Sequence, residues 1–302
     1  MAQLVKLQDY ISRYEIDMFR YPSQFIRMKK DNYARLRQQW EDEQATPQIA
    51  EPEEIEEKKS FFKKWFKRKD QFDVWEDDEE EAIPLPEQES ELKYFFLDRV
   101  FSFQLKWASS TLQEVSYFDR YYEHDLLLKY FLQRFPDTYL LFYNPIFKLK
   151  KAVVEADVML ITPTEIQCIV VLDQEGENIT YQPVDDRKWM KVQDGVEKQI
   201  VSPLVSLKRT EKTIKSILDY NELEFPIKKV VLTQHNQIRH QQAPYQTEYV
   251  DETNYAEWFE RQRETSYPIK YQQLKVSEAL LEHTQKTFVK RPIWMDEDQD
   301  MT

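Results

Sequence analysis

Asp157 is the acidic residue set well inside two apolar, β-branched runs, residues 153–173 (VVEADVMLITPTEIQCIVVLD). A carboxylate in that setting has two uses. It can help hold Mg²⁺ or Mn²⁺ for phosphodiester hydrolysis, which requires further anionic ligands and a cation to stabilise charge at the attacked phosphorus. Or it can be a buried carboxylate satisfied by hydrogen bonds. A second constellation lies at residues 58–69 (KKSFFKKWFKRK). Lys58, Lys59, Lys63, Lys64, Lys67, Arg68 and Lys69 interleave there with Phe61, Phe62, Trp65 and Phe66. On a helix these aromatics share one face, which suits an anionic lipid surface or a groove on a protein partner. The same rings could stack on single-stranded bases. Acidic blocks on either side, EPEEIEE at 51–57 and EDDEEE at 76–81, could equally neutralise the bases within a Debye length.

The remaining reactive side chains exclude more than they suggest. Cys168 is the single cysteine, so no internal disulfide framework forms. Its place in an apolar strand reads as a small buried hydrophobe in a reducing cytosol. His235 and His240 are the one close histidine pair, with no acid or thiol at zinc-ligand spacing; with His124 and His283 they read as surface residues. Gly176 and Gly195 are the only glycines, too few for the phosphate cradles of dinucleotide and P-loop sites. The 55 acids against 42 bases, net charge -13, make nucleic acid a less suitable partner for the molecule as a whole. No window reaches the ~20 apolar residues of a membrane span, and the N-terminus has no export signal.

Several elements must position these residues. Leu4, Leu7, Ile11, Tyr14 and Met18 step by three and four, predicting a helix over residues 3–19. A second helix over 23–43 would make a helical hairpin or arm, residues 1–43. The Pro- and acid-rich residues 44–91 read as a charged, disordered linker. Phe101, Phe103, Leu105 and Trp107 alternate with polar residues, favouring a strand over the helix that Phe96, Val100, Phe103 and Trp107 would also fit. A helix over 119–135, strands over 139–143, 153–173, 179–184 and 227–233, and a helix opened by Ser202-Pro203 follow. Trp189 falls in a polar connection. Helices near 254–263 and 276–287 and an acidic tail from Asp296 make up a C-terminal extension, residues 241–302.

Residues 119 to about 235 resemble the nuclease-related domain (NERD) family, of the restriction-endonuclease-like superfamily. EADVMLITPTEIQCIVV matches its Asp, apolar run, Pro-containing turn and second apolar strand; Gly176 and Trp189 match its Gly turn and Trp; Ser202-Pro203-Leu204 resembles its Asn-Pro-Leu. The resemblance implies a restriction-endonuclease-like mixed sheet flanked by helices over residues 92–240. It also implies a family acid at Glu123 or Asp125, which would join Asp157 as metal ligand and catalytic group. The family's acid-x-Lys pair, aimed at one face of a strand by its i, i+2 spacing, falls on Val170 and Leu172, and its Gln on Ser206. Neither Val170 nor Leu172 can bind a metal or a phosphate. Asp173, Glu175 or Glu177 with Lys208 or Arg209 could rebuild the cleft, or could be ordinary turn and helix-surface residues.

The expectation is therefore a catalytically degenerate nuclease-related protein, cytoplasmic, with no resident cofactor. It would bind a protein partner, or dock on an anionic membrane surface through residues 58–69. The enzyme alternative is a divergent Mg²⁺- or Mn²⁺-dependent nuclease built on Asp157.

Overall fold

The computed structural model describes residues 1–45, 85–150, 152–172, 178–239, 242–264 and 267–291. The run 58–69, the acids Asp173, Glu175 and Glu177 with Gly176, His240 and the tail from Asp296 lie outside the described residues. The chain divides into two compact units, Met1–Ile26 with Phe101–Thr302, and Arg27–Val100.

The larger unit is an α/β structure around a six-stranded mixed sheet. Its strands run in the order β1 (Gln3–Leu7), β3 (Leu140–Tyr143), β6 (Val158–Ile161), β7 (Ile166–Val171), β11 (Ile227–Leu232) and β13 (Thr247–Val250). β6 is antiparallel to both β3 and β7, and the other neighbours are parallel. The β6–β7 connection is the predicted Pro-containing turn. Thr162 Oγ1 accepts from the backbone N–H of Thr164 (3.2 Å) and Glu165 (3.0 Å), satisfying donors that the tight turn would otherwise orphan. Because successive side chains alternate in a strand, Val158, Leu160, Ile169, Val230 and Leu232 enter one apolar cluster. Helix α2 (Glu89–Trp107) adds Phe101 and Leu105 to it, α3 (Leu126–Arg134) adds Leu128, Phe131 and Leu132, and α5 (Tyr255–Glu264) adds Trp258.

Helix α4 (Pro203–Tyr220), which contacts β7 and β11, lies on the opposite face with α6 (Tyr271–Glu282) beside it. Ser202 caps α4, accepting from Leu204 N, with Pro203 in the first turn, as the sequence predicts. A second sheet has the order β10 (Val196–Val201), β9 (Lys188–Gln193), β8 (Ile179–Pro183) and β12 (Gln237–Ile238). Two small pairs complete the unit, β4 (Ile146–Leu149) with β5 (Ala152–Glu155), and β2 (Glu114–Val115) with β14 (Val289–Lys290).

Several expectations are corrected. Residues 3–7 form β1 rather than the start of a helix over 3–19; Arg13–Glu15 is one 3-10 turn. Leu4, Leu7, Ile11, Tyr14 and Met18 are all buried, so their spacing tracks burial without being helical. Strand pairing overrides the local pattern here. β1 pairs with β3 on one side, while on the other Gln104 accepts from Leu4 N (2.6 Å) and donates to Ala2 O (3.0 Å). Residues 101–107 belong to helix α2, not a strand; Phe101, Phe103, Leu105 and Trp107 are all buried, so a helix covered on several sides mimics period two.

The predicted helix over 119–135 divides into a 3-10 turn, Arg120–Glu123, and α3, capped by Asp119 and Asp125 respectively. The strand predicted from residue 153 changes sheets at Ala156–Asp157, so Asp157 stands just before β6 rather than inside a strand. Trp189 belongs to β9, where it is fully buried with its ring 5.4 Å from Tyr249. Strand β13 fell in a region read as polar and helical.

The smaller unit, as described, holds residues 27–45 of helix α1 (Tyr21–Ala45) and the first turns of α2. Tyr33 and Phe96 pack with ring centres 5.1 Å apart, and Trp40 Nε1 donates to Pro86 O at 2.7 Å. No described helix is long and apolar enough to cross a membrane.

Candidate functional site

The parallel strands of the central sheet all end at the edge where β6 begins. Asp157 therefore stands at the carboxyl edge of the sheet, where open α/β sheets place their ligands. Its carboxylate is turned towards α4. Thr210 Oγ1 donates to Asp157 Oδ2 at 2.8 Å, and Asp157 N lies 3.2 Å from the same hydroxyl. Ser206, at the family's Gln position, brings a second hydroxyl within hydrogen-bonding reach of Asp157. That hydroxyl can alternatively donate to Pro203 O at 3.0 Å. Burial raises the Asp157 carboxyl above its ordinary range, and the bonds from Thr210 and Ser206 and the charge of Arg209 only partly oppose it.

By alternation Cys168, Val170 and Leu172 share the α4 face of β7. Val170 pairs with Val231, and Leu172 is held through its backbone, its N–H donating to Leu232 O (2.8 Å) and its carbonyl accepting from Tyr181 Oη (2.7 Å). Both positions onto which the resemblance maps the family's acid-x-Lys pair thus hold half-buried apolar side chains. Deeper on the same face Lys229, paired in register with Cys168, reaches Glu211 of α4 at 2.6 Å. Glu211 also holds Lys215 at 2.7 Å. Burial pushes the Glu211 carboxyl up, but the hydrogen bonds from Lys215 and Lys229 outweigh it and the net shift is downward. The Cys168 thiol is pushed up, first by burial and then by the charges of Asp157 and Glu211, with Lys229 opposing. It stays a thiol at neutral pH and is not a nucleophile.

Of the acids named as possible partners of Asp157, Asp125 is engaged elsewhere. Asp125 caps α3, Oδ1 accepting from Leu127 N (2.9 Å) and Leu128 N (3.0 Å), while Oδ2 accepts from Tyr143 Oη at 2.8 Å. Tyr143 belongs to the apolar cluster on the face opposite α4, so Asp125 and Asp157 point to different sides of the sheet. Glu123 is exposed. Lys208 forms an exposed pair with Asp186 at 2.8 Å, whereas Arg209 does act on Asp157. His124 and His235 are exposed, and His283 Nδ1 lies 2.8 Å from Ala279 O.

Among the described residues no group of three or more His, Cys, Asp or Glu could hold a metal ion. Since Mg²⁺ needs several oxygen ligands with near-octahedral geometry, the described surroundings of Asp157 do not fit one. The residues that sequence reasoning missed are Thr210, Glu211 and Lys229. Lys229 did carry a signal: it is a charge inside the apolar strand IKKVVL, and such a charge must find a partner.

Three comparisons bear on this arrangement. Residues 121–233 match the nuclease-related domain (NERD) family. A protein named RNA 2′,3′-cyclic phosphodiesterase, from Geobacillus stearothermophilus, is 37% identical over 114 residues, which is 34% of this chain and 36% of that protein. The match thus spans little more than a third of that relative's length. No solved structure matches the chain.

Proposed function

Taking residues 121–233 as a nuclease-related domain, we propose that it keeps a restriction-endonuclease-like scaffold without metal-dependent cleavage and acts by binding a protein partner. The observation that carries this reading is the commitment of Asp157 to Thr210, with Ser206 beside it; apolar Val170 and Leu172 stand at the positions onto which the resemblance maps the acid-x-Lys pair. A carboxylate whose burial favours its neutral form is a poor cation ligand. The basic-aromatic run 58–69 is the sequence feature best suited to contact such a partner, or an anionic lipid surface.

A second reading, a divergent phosphodiesterase, is favoured by the name of the relative and by the Lys229–Glu211 pair on the Asp157 face. One assay separates the two. Single- and double-stranded DNA and RNA and a 2′,3′-cyclic nucleotide are incubated with wild type, Asp157→Ala and Lys229→Met, prepared identically, with Mg²⁺ or Mn²⁺. The binding reading expects no turnover above that of the variants, with all three proteins folded. Turnover in wild type that disappears in Asp157→Ala would overturn it, and a parallel loss in Lys229→Met would identify the rebuilt site.

A further inference from the structure

Among the described residues of the larger unit three basic side chains are deeply buried, and two of them have counter-charges. Lys6 reaches Glu15 at 2.9 Å and Tyr10 O at 2.6 Å, and Lys229 reaches Glu211 at 2.6 Å. Arg13 differs. Its side chain is as buried as theirs, at 1% exposure, yet its Nε and Nη2 have no acceptor among the described residues. The acids closest in sequence are already engaged: Glu15 by Lys6 and Lys286, Asp17 by the backbone of Phe19 and Arg20. Burial lowers the Arg13 pKa to about 10; Tyr21 opposes the shift and Arg291 adds to it. The guanidinium is therefore still charged at neutral pH. Water can satisfy an N–H group, but it does not neutralise a buried charge.

The surroundings of Arg13 supply donors and a second positive charge. The guanidinium carbon lies 5.5 Å from the centre of the Trp107 ring, whose Nε1 is also buried without an acceptor. Pairing of β14 with β2, extended by Arg291 N donating to Gln113 O at 2.8 Å, brings in Arg291, whose Nε is likewise unpaired. Nε and Nη2 form the side-on edge of a guanidinium, the edge whose two parallel N–H groups take two oxygens of one anion. We propose that Arg13, with Trp107 and Arg291, forms a buried binding site for an oxyanion, a phosphate group or a carboxylate. It is separate from the Asp157 site and does not depend on the reading given for that site. The source is either a solute or the chain's own acids at Asp296, Glu297, Asp298 and Asp300, which follow Arg291 closely.

The test is thermal denaturation of the full chain at constant ionic strength, titrating inorganic phosphate against chloride. Wild type is compared with Arg13→Met, and both again with the four tail acids changed to Asn or Gln. For a solute anion, phosphate raises the wild-type Tm logarithmically once above Kd, by about 5 °C near 100 Kd, beyond the general salt effect seen in Arg13→Met. For a tail carboxylate, wild type ignores phosphate and the tail-neutralised chain responds, again only with Arg13 present. Equal phosphate responses with and without Arg13 in both backgrounds would overturn the site. If Arg13→Met does not fold, Arg291→Met carries the same comparison.

Discussion

The two faces of the central sheet are made from the same strands but treat charge differently. The face that packs on α2, α3 and α5 is aromatic and aliphatic, and there the carboxylate of Asp125 is held by two backbone N–H groups and the Tyr143 hydroxyl. The face under α4 holds Asp157, Cys168, Glu211 and Lys229, and there each charge is met by a hydroxyl or an opposite charge. Both faces follow from the strict alternation of side chains in β6, β7 and β11. The difference teaches that an acid near an apolar sheet is defined by its donors. Asp125 ties a helix end to a strand, whereas Asp157 sits at the carboxyl edge of the sheet and takes its hydrogen bond from Thr210.

The largest effect should come from the aromatic face. Asp125→Ala removes the cap of α3 and leaves the buried Tyr143 hydroxyl without its acceptor, a loss of about 3 kcal/mol, read as a fall in Tm. Asp125→Asn should recover part of it, since an amide oxygen can still accept. A Tm unchanged in Asp125→Ala would remove the contrast between the faces.

A smaller effect is expected under α4. Glu211→Gln leaves Lys229, only 6% exposed at its side chain, beside a neutral partner. The loss should be about 2 kcal/mol, below the range for fully buried pairs because Glu211 is partly exposed. Adding Lys229→Met should restore most of it, because an apolar side chain carries no charge to leave unpaired. A double-mutant cycle by urea denaturation measures the coupling, and additive losses would mean the pair is not coupled.

The smallest effect belongs to Asp157→Asn, which keeps an acceptor for Thr210. The folded-state pKa of Asp157 is raised, so protonation favours the folded protein and the protonated carboxyl's contribution is lost as pH rises through that folded pKa. The Asn variant should match wild type in acid, below the ordinary carboxylate range, and equal or exceed it by up to ~1 kcal/mol at neutral pH. Wild type gaining on the variant as pH rises would reverse the assignment of burial as the dominant cause.

Much of the core was legible in local sequence. The apolar runs of β3, β7 and β11, the Pro-containing turn at Thr162–Glu165 and the Ser202-Pro203 start of α4 all carry short-range signals, and all occur where expected. The β9–β10 hairpin also had one: Asp194-Gly195, both at positive φ (51° and 77°), is the Asp-Gly pair that type I′ turns favour. This turn makes Trp189 a strand residue of β9, although the flanking residues are polar.

Residue types alone set the chemistry available at each position. Val170 and Leu172 cannot ligate a metal wherever they lie, Cys168 is alone, and Ser202 can cap a helix. The tertiary structure alone decided which residues meet. Residues 3–7 became a strand because β3 had a free edge to pair with, and Gln104, a hundred residues away, covers the other side. Asp125 and Asp157 were parted because they approach opposite faces of one sheet, and Thr210, Glu211 and Lys229 gathered because α4 crosses β7 and β11. Such contacts join residues far apart in the chain, whereas helix and strand periodicity reports only on neighbours.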